Sequence, residues 1–463
     1  MIKRFFNFQT KTIQAAAGIL SLSALISRLL GLVRDRLLAS TFGAGAELDV
    51  YFAAFRLPDF IYNILIAGGI VVAFVPLFSE YFLKDKKEAW DFTNNVLNVF
   101  LFFLFVISLV LGIFAPVFVK IMTPGFNAQQ ITLTVLLTRI LFLSPIFFGI
   151  SSIFSGVAQY FSRFLIYSLA PILYNLGIIL GIIFLAPIWG ILGVTLGVVI
   201  GALLHFLIQI PPALQAGFAY RPIFNLKDEK IKRVFSLMVP RTFGVAAPQI
   251  NLMVVMAIAS GFSSGALSIF ILANNLQQFP LGLVGIPFAM AAFPTLAQAW
   301  AAQKKEDFLE KFFSTFRKIL YIIIPLSFLI FILRNQIVLI YKAGQYSGTA
   351  TSLTSASLGL FALGIFASCL IPLVFRAFFA FQDTKTPTVI AVVAMVLNVG
   401  LCLGFTQVLS FPNFFQDFMI RFFALQGIKD ISVIGLPLAF SLDSIFQLIL
   451  LMIFLRKKIN IKI

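Results

Sequence analysis

Apolar residues run through this chain in blocks of about twenty, the length that crosses roughly 30 Å of hydrocarbon as a helix. Short polar stretches separate the blocks. The pattern predicts twelve spans, at 15–42, 50–79, 92–121, 131–160, 164–186, 189–213, 234–260, 265–299, 315–341, 355–381, 386–408 and 432–455. Backbone groups in lipid must be paired within the segment, so each block is read as an α-helix. The expected fold is an all-α polytopic membrane protein. The first block, AAAGILSLSALISRLLGLVRDRLLASTF, breaks the pattern with Arg28, Arg34, Asp35 and Arg36. Charges at membrane depth are costly and usually face a protein interior or a water-filled path. This helix therefore reads as the wall of a polar cavity rather than a plain anchor.

Composition narrows the class. The 463 residues have a mean hydropathy of +1.04 and only 11% are charged, against roughly 25% in soluble domains. Phe is common, at 57 residues, and reads as lipid-facing bulk. The net charge of +17 would suit a nucleic-acid binder, but its placement argues otherwise. One set of loops and termini holds 22 basic residues, among them Lys3, Lys86, Arg163, Arg233, Lys305 and Lys458; the opposite loops hold only Lys120, Arg334, Lys342, Arg421 and Lys429. Basic loops stay cytoplasmic, so both termini are expected in the cytoplasm and no nucleic-acid partner is expected. Cys369 and Cys402 fall in apolar segments, and no metal-ligand spacing is present. The lone His205 reads as a packed or interfacial residue. The helix after the basic first residues is too long for a signal-peptide core, so no cleavable leader is expected.

The chain repeats itself. TFGAGAELDVYFAAFRLPDF followed by AFVPLFSEYF is echoed by SGFSSGALSIFILANNLQQFP followed by AAFPTLAQAW, with Pro76 and Pro294 expected to end equivalent spans. Asn175-x-Gly177 matches Asn398-x-Gly400, and GVTLG at Gly193 parallels GLPLA at Gly435. Six spans per half, an even number, give both halves the same orientation, a transporter design with substrate held between repeats. The expected division is an N-lobe over 1–213, a cytoplasmic linker over 214–233 and a C-lobe over 234–463.

The stretch SRLLGLVRDRLLASTFGAGAELDVYFAAFRLPDF closely resembles the opening of the MurJ (MviN) lipid II flippases, and AFVPLFSEY, APILYNLG, AFQDTKTP and MVPRTFGVAAPQINLMV agree with it. The resemblance implies the multidrug/oligosaccharidyl-lipid/polysaccharide exporter fold, with two six-helix lobes. It implies a bacterial cytoplasmic-membrane protein moving lipid II, the undecaprenyl-diphosphate-linked peptidoglycan precursor, to the outer leaflet. It carries over Arg28, Arg34, Asp35, Asp49 and Arg56 as residues that line or support a cationic cavity. Three departures stand out. Tyr62 and Asn63 occupy the place of a further arginine, Asn274 and Asn275 replace an Asp-Arg pair, and two C-terminal helices of many relatives have no counterpart after the twelfth span.

The chemistry fits an anion. Arginine keeps its charge in low dielectric and grips phosphate oxygens with two donors. Arg34 lies about 9 Å beyond Arg28 along the helix, so the two offer successive positions for one head group. Asp35 returns to nearly the face of Arg28 and can neutralise a neighbouring arginine. Arg36 fits an interfacial ion-pair cluster equally well. Arg56 and Asp59 stand three apart and can pair on one face. Arg241 is the C-lobe counterpart and can instead snorkel to the interface. Arg139 and Arg376 read as structural or interfacial. Gly68-Gly69 and Gly282 with Gly285 suit either close packing or bending. No nucleotide-binding loop is present, so energy must come from a gradient, the membrane potential or the substrate. Asp443 with Asn398 and Asn251 makes an oxygen-rich candidate for Na+ or H+ coupling; Asn274 and Asn275 add to this polar C-lobe set. The alternatives are an exporter of another polyprenyl-linked saccharide, a membrane glycosyltransferase and a channel. Short, acid-poor outward loops speak against an enzyme. A monomer is the default, with membrane lipids as its other partners.

Overall fold

The computed structural model describes residues 13–459, which form helices joined by turns and loops, with no strand among them. Eight helical stretches among the described residues are long and apolar enough to cross a bilayer, and a ninth is a pair bent by 46°. The charged first helix, the broken second span and the helix at 229–260 account for the remaining expected spans. The chain falls into two compact units, one formed by 1–41 and 50–249, the other by 42–49 and 250–463.

In the first unit, α1 (Ile13–Phe42) is followed by a second span built in pieces: α2 (Ala46–Ala54), α3 (Arg56–Ile61), a π-helical stretch Tyr62–Ile70, and α4 (Val71–Lys84). Then come α5 (Lys86–Ile113), α6 (Ala115–Met122), α7 (Ala128–Leu141), α8 (Leu143–Tyr160) and α9 (Phe164–Leu180). A π-turn, Gly181–Leu185, leads to α10 (Ala186–Trp189), α11 (Ile191–Leu207) and α12 (Ile210–Gln215). The long α13 (Glu229–Ser260) runs from this unit into the next. The sequence sets several starts. Asp85 accepts from the amide of Lys87 at 2.9 Å. Asn127 and Gln130 form a reciprocal capping box before α7, satisfying amides that the first turn leaves unpaired.

Phe is not only lipid-facing bulk. Phe74, Phe78 and Phe92 are fully buried, with ring centroids 5.5 and 5.7 Å apart along the stack. Helices α9 and α11 approach backbone to backbone. A Cβ on Gly177 would sit 2.3 Å from Cα of Gly201, so only glycine permits the contact. The basic stretch after α12 is fixed by asparagines of α5. Asn94 donates to the carbonyl of Ala219, Asn95 to that of Asn225, and Asn98 to those of Arg221 and Ile223. His205, in the last turn of α11, packs against α8, its Nδ1 2.7 Å from the hydroxyl of Ser151.

The second unit holds α14 (Ala266–Pro280), a π-turn Leu281–Gly285, α15 (Ile286–Ala301), α16 (Lys305–Ile332) and α17 (Arg334–Val338). These are followed by α18 (Gly348–Ala362), α19 (Ile365–Ala380), α20 (Lys385–Ser410), α21 (Phe414–Phe423) and α22 (Gly435–Ile459). The repeat survives at backbone level: π-helical backbone interrupts the second span and its counterpart, α14–α15, at equivalent places. Gly68, Gly69, Gly282 and Gly285 fall within these stretches. Pro76 and Pro294 do not end their spans as expected. Both lie inside helices, Val71–Lys84 and Ile286–Ala301. A proline removes one backbone donor, and the helical hydrogen bonds on either side suffice to carry the segment onward. Cys369 and Cys402 are buried free thiols.

Candidate functional site

The charged face of α1 forms a built polar cluster. Arg34 donates from Nε and Nη2 to one carboxylate oxygen of Asp35, at 3.0 and 2.8 Å. Its Nη1 donates to Oδ1 of Asn175 at 3.3 Å. The Asn175 amide in turn donates to the carbonyl and hydroxyl of Ser27, at 3.4 and 3.2 Å, and to the carbonyl of Pro171 at 3.1 Å. Asp35 is nearly buried, with 5% of its side chain exposed, whereas Arg34 keeps 25%. Tyr51 and Tyr174 lie close enough to interact with the guanidinium. A charge buried without a partner would be strongly destabilising. Here the carboxylate neutralises the arginine and an amide orients it. The cluster therefore holds a positive group with part of its surface open, one able to exchange Asp35 for another oxyanion. Asn175, marked by the repeat but not read as a site residue, is the part that sequence reasoning missed.

Arg28 is half-buried on α1, about 9 Å before Arg34. Arg36 is exposed and fits the interfacial reading. Arg56 opens α3, and its Nε is buried with no hydrogen-bond partner. The expected Arg56–Asp59 ion pair is not formed. Asp59 instead lines a small cavity with Phe55, Tyr62, Phe148 and Tyr174. Both residues stand in α3, and each lies within electrostatic reach of the other without closing to ion-pair distance. Asn63 donates to the backbone of Asp59 at 2.8 Å.

Asp49 belongs to the second unit and is 3% exposed. One carboxylate oxygen accepts the amide of Gly265 at 2.7 Å. The other accepts the amide of Ser268, at 2.7 Å, and its hydroxyl. Gly265 stands immediately before α14, at φ +94°, so Asp49 caps that helix from a distant part of the sequence. A carboxylate also complements the positive end of the helix dipole. Asp49 is thus engaged by donors of its own unit and is not a free wall charge.

Among the C-lobe candidates, Asp443 is 8% exposed and its Oδ1 is buried without a partner; Asn251 Oδ1 and Asn398 Nδ2 share that condition. Asn398 accepts a weak bond from the thiol of Cys402 at 3.7 Å, and Cys402 lies within electrostatic reach of Asp443. Asn274 accepts from Gln277 at 2.9 Å. Asn275 is half-buried beside it. The side chain of Arg241 lies outside the described residues. Among the described residues no cluster of His, Cys, Asp and Glu could hold a metal ion.

Comparisons with known proteins agree on one family. The protein-family model described as "Lipid II flippase MurJ" matches residues 38–463. The probable lipid II flippase MurJ of Haemophilus influenzae is 31% identical over 398 residues, covering 82% of this chain and 78% of that one. That of Thermotoga maritima is 28% identical over 397 residues, covering 84% and 79%. A solved lipid II flippase MurJ in an inward closed conformation superposes with a TM-score of 0.77 at 25% identity, covering 94% of this chain and 87% of that one. An inward-facing multidrug resistance transporter of the MATE family and MOP superfamily also reaches 0.77, at 14% identity, over 96% and 98% of the two chains. That second likeness speaks for the fold.

Proposed function

This chain belongs to the MurJ family of lipid II flippases, and from that premise we propose that it carries lipid II from the inner to the outer leaflet of the bacterial cytoplasmic membrane by alternating access. It is a transporter rather than an enzyme. Its termini lie in the cytoplasm, and it works as a monomer.

The observation that supports the reading most directly is the buried Arg34–Asp35–Asn175 cluster. A diphosphate is a compact anion, and its passage through low dielectric needs a cation that holds its charge. Arg34 is such a group, kept neutral overall by Asp35 until substrate arrives. The phosphate oxygens replace Asp35 on the guanidinium, while Asn175 keeps Nη1 oriented. Arg28 and Arg56 add positive charge. Asp49, an anion, serves as a latch on α14 and not as a phosphate ligand. We assign the coupling cation, Na+ or H+, to Asp443, whose Oδ1 is buried without a partner, as is Oδ1 of Asn251; Asn398, next to the Cys402 that senses Asp443, adds a polar group.

Complementation tests this. A bacterium depleted of its own lipid II flippase is given the wild type, Arg28→Ala or Arg34→Ala at equal membrane levels. Rescue by the wild type and failure of both variants is expected. Rescue by all three would overturn the arginine assignment, and failure of a well-inserted wild type, with no lipid II binding in detergent, would overturn the substrate.

A further inference from the structure

Hydroxyl groups on membrane helices are normally satisfied by their own backbone. In the first unit Thr93, Thr132 and Thr134 each donate to the carbonyl four residues back, and Ser152 to the one three back. Ser108 on α5 departs from this. It is 5% exposed, and its hydroxyl is buried without a partner. In a site with no bulk water such a group costs free energy until something fills the vacancy.

Ser108 lines a cavity of about 390 Å³ together with Phe105, Leu109, Gly112, Arg139 and Ile146. The wall opposite α5 is the break between α7 and α8, at Phe142. Arg139 donates from Nε to the carbonyl of Gly112 at 2.9 Å. This bond fixes the guanidinium plane and leaves both Nη groups without a hydrogen bond among the described residues. Gly112 is next to last in α5. Beyond it, Ala115 and Val119 of α6 pack on Val135 and Ile131 of α7. Arg139 thus sits level with the end of a membrane span, at head-group depth, on the side opposite the basic loops. From there the cavity runs inward along α5 for about 10 Å, from Gly112 to Phe105. Phe105 and Leu109 are exposed, so the groove opens toward lipid.

We propose that this groove binds one anionic glycerophospholipid, its phosphate on Arg139 and an ester carbonyl on the hydroxyl of Ser108. An acyl chain moving in from the bilayer gains little transfer free energy, because lipid tails are as apolar as the groove. Selection must come from the polar pair. The two free Nη groups match phosphate oxygens. Ser108 lies one helical turn, about 6 Å, below Gly112, as the ester carbonyls lie one glycerol linkage below the phosphate. A polyprenyl phosphate has no ester at that depth, so the site is distinct from the transport site around Arg34.

The test is native mass spectrometry of the full chain in nonionic detergent, titrated with phosphatidylglycerol and with its ether-linked analogue. In the wild type one ester-linked lipid should bind ahead of the rest, and the ether analogue about fivefold more weakly, the ratio for one lost hydrogen bond. Arg139→Gln should weaken the ester-linked lipid about tenfold. Ser108→Ala, which removes the unsatisfied hydroxyl and should fold normally, should erase the ester-over-ether preference. Arg28→Ala should leave the titration unchanged. Equal binding of the two lipids by the wild type, an unaltered titration in Arg139→Gln, or displacement by inorganic phosphate or undecaprenyl phosphate would each overturn the proposal. If Arg139→Gln fails to fold, the Ser108→Ala comparison decides alone.

Discussion

The carboxylate of Asp49 is held by Ser268 through both the amide, at 2.7 Å, and the hydroxyl, with Gly265 taking its second oxygen. Residues 219 positions apart in sequence thus make one helix cap. Removing a capping side chain costs about 0.5–2 kcal/mol, and more here because charge-assisted bonds are roughly twice as strong as neutral ones. Asp49→Ala should lower the melting temperature of the purified protein more than Asp49→Asn, which keeps an acceptor oxygen. Equal melting of Asp49→Ala and wild type would show that the cap contributes nothing.

Arg34 and Asp35 form a pair in which one member is nearly buried. Breaking such a pair by removing one partner costs about 3–5 kcal/mol for fully buried ions, and less here because Arg34 keeps a quarter of its side chain exposed. Arg34→Ala should therefore destabilise the protein more than the double variant Arg34→Ala/Asp35→Ala. A double-mutant cycle of melting in detergent reads the coupling, and additivity of the single changes would refute it.

Asp383 lies in the loop before α20 and accepts from Lys458 Nζ at 2.8 Å, from the Thr386 amide at 3.0 Å and from the Thr386 hydroxyl at 2.8 Å. Partial burial pushes its pKa up, but these donors prevail and bring it down to about 2. A carboxyl whose folded pKa lies below its unfolded value of about 3.9 stabilises the fold above that value. The contribution is lost as pH falls from about 4 through 2. Wild type should lose melting temperature over this window faster than Asp383→Asn. Parallel acid curves would contradict the assignment.

Equivalent glycines of the repeat should behave oppositely. A Cβ at Gly177 meets the Gly201 backbone, whereas one at Gly400 meets nothing within 4 Å. Gly177→Ala should abolish monodisperse expression, because backbone cannot rotate aside. Gly400→Ala should be neutral or stabilising, by up to about 1 kcal/mol of helix propensity. Size-exclusion profiles of the two variants check both.

The sequence alone determined what depends on local spacing. Apolar blocks set the spans, and a run such as residues 34–36 showed charges where lipid tolerates none. The match of Asn175-x-Gly177 to Asn398-x-Gly400 exposed the repeat. These are readable because helix length and periodicity are properties of a few consecutive residues. Only the tertiary structure decided the partners. Asn175 meets Arg34 across 141 positions, Asp49 finds an amide pair on a distant helix start, and Ser108 is left without one. The repeat also hides divergence that packing reveals, since Gly177 touches backbone while Gly400 touches nothing. Which group a buried donor or acceptor meets depends on how helices far apart in sequence pack, and short-range patterns carry no record of that.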